Sequence, residues 1–214
     1  MLRKNYFSKI NFPYLVSEVT GNATWLVEPR MCPDQYVGEI NTFCENQVDF
    51  PIRVATGKRP NDLKCLIMVI ESPHKLEFTG NPGPAKGSTG RLTRKWIKEI
   101  RGFSIYDSYG LILINAIQFQ CSLGAPTKHF RDEVFKQVWS NGGEDDFIRR
   151  LSCIYREGDV ITNCCTKGNM KGSDLRRLVQ PAIKLTAANC MTHRRTHPSC
   201  WFSKKNRAYE WDDV

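Results

Sequence analysis

Three short stretches carry the residue types that do chemistry: Glu71-Ser72-Pro73-His74, the single Asn115, and His197-Pro198-Ser199. A carboxylate that ends an apolar run needs a partner, either a loop to cap or a ligand to meet. A side-chain amide offers both a donor and an acceptor, which suits it to reading a polar edge or to capping a strand end. The hydroxyls of Ser72 and Ser199 stand beside proline-fixed turns, and Ser88, Thr89 and Gly90 open a helix whose free backbone amides favour an anion. The segment AKGSTG has the look of a phosphate loop but fails its pattern, because Lys86 precedes Gly87 rather than following it.

The elements that must position these groups are legible from apolar patterning. The runs LKCLIMVIE (63–71), LILINAI (111–117) and DVITNCC (159–165) are continuous and predict parallel strands covered on both faces. LTAANCMTH (185–193) predicts a weaker fourth strand. Between them STGRLTRKWIKEI, HFRDEVFKQVW, EDDFIRRLSCIY and SDLRRLVQPAIK predict helices, the last with a kink at Pro181. Alternation of this kind predicts an α/β fold, a three-layer αβα sandwich around a central, four-stranded, mainly parallel sheet. Ligands of such sheets sit beyond the carboxyl ends of the strands, and Glu71, Asn115 and His197 all fall there. Residues 1–60 mix short apolar runs with Pro, Asn and Gly and predict a loop-rich extension packed on the core domain of residues 61–214.

With 41% hydrophobic residues over 214 positions, the chain can bury one core. The net charge of +9 points to a negatively charged partner, of which nucleic acid is the commonest for a basic domain. Lys86, Arg91, Arg94, Lys95, Arg194, Arg195, Lys204, Lys205 and Arg207 can line a phosphate track, although each alone reads equally as a solvated charge. No signal peptide or bilayer-spanning run is visible, so a cytoplasmic, monomeric protein without membrane contact is expected. The nine cysteines are odd in number, irregular in spacing and lack a CxxC pair, which predicts free thiols and no metal centre.

Taken in order, VIESPHKLE, GPAKGSTGRL, LILINAIQF and THPSCW resemble the motifs of the uracil-DNA glycosylase superfamily, over roughly residues 64 to 202. The first keeps the Glu, the Pro and the second Glu, Glu77, of the iron–sulfur branch's GEAPGxxE. The second resembles that branch's RPFVGRAGxLL. The third is closer to the LLNAVLTV of the uracil-specific enzymes, and both branches share HPS.

The resemblance implies a DNA glycosylase, which flips a base out of the duplex and hydrolyses its N-glycosidic bond. It implies Glu71 as the carboxylate that activates water or stabilises the oxocarbenium-like sugar. His197 becomes the group that hydrogen-bonds the departing base. Asn115, Ser72, His74 and Ala85 become base contacts, and Lys86, Ser88, Thr89, Gly90, Arg91 and Ser199 DNA contacts. Trp201 takes the place of an apolar wedge, with core packing as its alternative.

The chain also departs from the pattern. Ala85 replaces an aromatic that stacks on the base, and Phe78 or Phe119 would have to supply a ring. His74 replaces a Gly, Ser72 an Asp, and Cys121 lies near a cluster-ligand position without the upstream CxxC, so no cluster or other cofactor is expected. A small residue at position 85 suggests a pocket for a bulky modified base, such as glucosylated hydroxymethylcytosine of phage DNA, and a role in antiviral defence. The alternatives are uracil excision in repair, a silent binder of DNA or modified bases, and a small-nucleotide enzyme on a similar scaffold.

Overall fold

The computed structural model describes residues 10–21, 30–46, 49–50, 54–80, 82–122 and 130–212. It contains helices α1 (Phe12–Thr20), α2 (Ile40–Asn46), α3 (Ser88–Trp96), α4 (Arg131–Val138), α5 (Glu144–Ile154), α6 (Leu175–Thr186) and α7 (Lys204–Ala208). The strands are β1 (Gln35–Glu39), β2 (Cys65–Ile70), β3 (Gly110–Asn115), β4 (Val160–Asn163) and β5 (Thr192–Arg194).

The strands form one five-stranded mixed sheet in the order β1-β3-β2-β4-β5. β3, β2, β4 and β5 run parallel, and β1 closes the edge antiparallel to β3. The fold is therefore α/β, with five strands in place of the four expected. The extra strand lies in the stretch that reads as loop. QYVGE is short, and the register slips between Tyr36 and Gly38, whose φ of 109° only glycine adopts readily, so no clean alternation marks it. The described residues among 10–58 thus share the sheet and core of the rest, with α1 packing against α4. At the other edge, α6 runs on through Thr186 and only Thr192–Arg194 pairs, so the fourth expected strand is later and shorter than its sequence suggests.

Side chains alternate along the central strands, as a pleated ribbon requires. Cys65, Ile67, Val69, Ile112 and Ile114 face a core closed by α1, α4, α5 and α6. Leu66, Met68, Ile70, Leu111 and Leu113 face a second core with α2 and the 3-10 turn that follows α3. The sheet is thus covered on both faces, which is why its strands read as continuous apolar runs. No helix of the described residues is long and apolar enough to cross a membrane.

One buried ion pair ties the amino ends of β2 and β4 together. Arg59 Nη1 lies 2.7 Å from Asp159 Oδ2, with both side chains only 1% exposed. Asp159 also accepts the backbone N–H of Cys65 and of Arg156, at 2.8 and 2.9 Å. Removing the carboxylate strands a buried guanidinium and two amides. Asp159→Ala is therefore expected to cost about 3–5 kcal/mol, read as a lowered urea midpoint with an unchanged m-value.

Candidate active site at the carboxyl ends of the strands

The chain leaves β2 toward α3 on one face, whereas it leaves β3 and β4 toward α4 and α6 on the other. Loops that part in opposite directions open a crevice beside the central strand. There lies a cavity of about 200 Å³, lined by Glu71, Ser72, Pro73, His74, Glu77, Ser88, Thr89, Ser122, Arg131, Thr166, His197 and Ser199, with Ile70 at its base. A larger groove of about 740 Å³, at the amino end of β4, is walled by Tyr106, Tyr109 and Tyr155 and has no histidine or arginine in its lining.

Glu71 follows directly on β2 and is 4% exposed. Its backbone carbonyl accepts the Ile117 N–H and extends the β2–β3 ladder by one bond, which fixes where its side chain starts. The carboxylate takes the Thr166 hydroxyl on Oε2, and on Oε1 the Arg131 guanidinium at 3.2 Å and, more weakly, the Ser72 hydroxyl at 3.5 Å. Burial raises its pKa above the usual carboxylate range, against the opposing charge of Arg131 and the Thr166 hydrogen bond.

His197 precedes the 3-10 turn Pro198–Cys200 and accepts the Ser199 N–H on Nδ1 at 3.3 Å, with the Ser199 hydroxyl 2.8 Å from the same atom. A backbone amide can only donate, so Nδ1 is an acceptor and the proton of the neutral ring sits on Nε2. Burial, reinforced by the nearby charge of Arg131, lowers the pKa of this histidine to about 4. At neutral pH the ring is an uncharged donor.

The loop after β2 is held by Glu77, which accepts the backbone N–H of His74 at 2.9 Å and of Ala85 at 3.1 Å. The second Glu of the motif is thus a brace between two segments. His74 turns its Nδ1 to the Leu76 N–H at 3.2 Å, and burial followed by Lys75 lowers its pKa.

Of the residues anticipated from sequence, Glu71, Ser72, His74, Ser88, Thr89, His197 and Ser199 meet in this cavity. Asn115 does not line it. Asn115 ends β3 level with Ile70, its carbonyl accepts Arg150 Nη2 at 3.0 Å, and its side-chain oxygen is buried without a partner among the described residues. Ala85 lies outside too. It is buried, holds a left-handed φ of 47°, and borders a separate groove together with Lys86 and Arg94. Gly90 spends its N–H on the Ala85 carbonyl at 2.7 Å, and a Cβ there would stand 2.2 Å from that oxygen, so its glycine serves packing.

Trp201 has no exposed surface and donates its indole N–H to the Thr196 carbonyl at 3.0 Å, which is the core-packing alternative; a wedge must reach the DNA. The ring exposed next to it is Phe202, at 69%. Phe119 stacks on Phe12 in the core and Phe78 is buried outside the cavity lining, so neither supplies a ring to it. Arg195 and Arg207 are buried on Arg101, Glu210, Trp201 and Glu99 rather than presented to a phosphate track, and Arg94 is paired with Asp49. Arg91, Lys95, Lys204 and Lys205 are exposed and Lys86 partly so. Cys121 is fully buried, and all nine thiols are free.

Arg131, Thr166 and Ser122 are the site residues that sequence reasoning missed. Thr166 stands three residues past β4, the strand-end position that flagged the others, and could have been found by the same rule. Comparisons of the chain with protein-family models, curated proteins and solved structures return no match.

The histidine makes a testable contribution to stability. Its pKa is about 4 when folded and 6.5 in its unperturbed state, so between these values the unfolded chain binds more protons and stability rises with pH. The penalty is fully present below about pH 4 and gone above 6.5. His197→Gln is expected to flatten this part of the stability profile, measured by urea denaturation at closely spaced pH values.

Proposed function

We propose that this protein is a DNA glycosylase that hydrolyses the N-glycosidic bond of a nucleotide drawn into the cavity. The observation that carries the reading is that Glu71 and His197, from opposite ends of the core sequence, line one cavity with the start of α3. A carboxylate has about four lone-pair sites, so Glu71 keeps capacity for a water beside its protein partners. That water attacks the anomeric carbon and gives its proton to the Glu71 carboxylate, as the bond to the base nitrogen breaks and its electron pair passes to the departing base, which takes up a proton on release. The Nε2–H of neutral His197 is the donor available to a base carbonyl that gathers negative charge. In this reading Ser72 and His74 contact the base, while Ser88, Thr89 and Ser199, which line the same cavity, suit a flanking phosphate. The net charge of +9 fits a DNA partner. Since Ala85 stands outside the cavity, its small side chain gives no reason to prefer a bulky base over uracil.

One observation favours a silent DNA binder as the second reading: both carboxylate oxygens of Glu71 have protein partners, as those of a structural carboxylate would. The two readings separate on incubation with duplexes containing uracil or glucosylated hydroxymethylcytosine, scored for alkali-labile abasic sites. A glycosylase gives abasic product that Glu71→Gln reduces on the order of 10²- to 10⁴-fold with DNA affinity retained. A binder gives none with either protein, and an affinity independent of salt would remove DNA as the partner altogether.

A further inference from the structure

Arg131 occupies an unfavourable place for a cation. It is the first residue of α4, the positive end of the helix dipole. It follows Phe130, whose φ of 52° puts a bulky residue in the left-handed region. Backbone held so marks a position determined by its surroundings, often at a ligand site.

The side chain is anchored on one edge and open on the other. Its Nε sits 3.2 Å from Glu71 Oε1 and 3.3 Å from Asp132 Oδ1. Asp132 is itself pinned by the backbone N–H groups of Asn169 and Met170, at 2.6 and 2.8 Å. The two terminal amino groups make no hydrogen bond among the described residues, and they are not sealed from the cavity that Arg131 lines. A guanidinium held by Nε with neither amino group hydrogen-bonded presents a flat pair of donors, the geometry that matches two oxygens of an oxyanion. Ser122 and Ser199 add hydroxyls to the same cavity.

We propose that Arg131 is a ligand-binding residue whose outer donor pair takes an oxyanion in the cavity, either two oxygens of a phosphate ester or the one anionic oxygen of a departing base. That this oxyanion belongs to nucleic acid rests on the glycosylase reading; the existence of the subsite does not. Because its charge is permanent, Arg131 favours an ionised Glu71 and a neutral His197 at once.

The test is calorimetric titration of the full chain with inorganic phosphate and, separately, with free uracil. Arg131→Lys keeps a charge beside Glu71 and Asp132 but loses the flat donor pair. Arg131→Met removes both, and Lys58→Gln removes one exposed charge outside the cavity lining. Affinity for at least one probe is expected to fall on the order of 10- to 100-fold in Arg131→Lys, with Lys58→Gln unchanged. Loss with phosphate assigns the subsite to the sugar–phosphate backbone, and loss with uracil assigns it to the base. Absence of binding by the unaltered protein, equal affinities in the Arg131 variants, or an equal loss in Lys58→Gln would overturn the proposal. Absence of abasic product with anion affinity intact would instead remove the glycosylase reading and leave the subsite standing.

Discussion

A charge at the end of a dry strand is the constraint around which the site is built. β2 is buried on both faces along its whole length, and Glu71 follows it without a break. A carboxylate there is too costly to leave alone. Three elements that converge on the carboxyl edge of the sheet each contribute: Thr166 from beyond β4, Arg131 from the start of α4, and Ser72 from the turn itself. These three groups line the cavity together with Glu71.

Other buried carboxylates of the molecule work differently. Asp159, Asp132 and Glu77 each accept two backbone amides, those at Asp132 from the consecutive Asn169 and Met170, and so fasten one segment to another. Asp159 fixes the amino ends of two strands, Asp132 the loop after β4, and Glu77 the loop after β2. Glu71 accepts only side-chain donors. Side chains can be displaced or shared with a ligand at less cost than backbone held in a turn; Asp34 is likewise held by a side chain, that of Arg150, and Glu71 differs from it in lining the cavity.

The polarity of the cavity follows from the same arrangement. Arg131 is shared between Glu71 and Asp132, and its charge also discourages a proton on His197. A carboxylate, an imidazole and a permanent cation therefore stand together, the cation acting on both titratable groups. The first turn of α3 adds Ser88 and Thr89 to the rim, with its later amides already spent on Ala85 and Gly87.

Sequence alone determined the local features. Continuous apolar runs fixed β2, β3 and β4, because a strand buried on both faces leaves a signal independent of its neighbours. The positions of Glu71 and His197 just beyond strands were legible for the same reason, as was the start of α3. What sequence left undecided depended on contacts between distant segments. β1 is a strand only because β3 offers it an edge, and its bulge erases the period that would reveal it. Asn115 and Ala85 stand at motif positions yet do not line the cavity, since a turn's direction is set by what braces it, here Glu77 and Arg150. Trp201 reads equally as wedge or core, and only packing against the second face of the sheet decides. Arg131 carries no motif at all; α4 brings it across the sheet to Glu71, and that meeting exists in three dimensions alone.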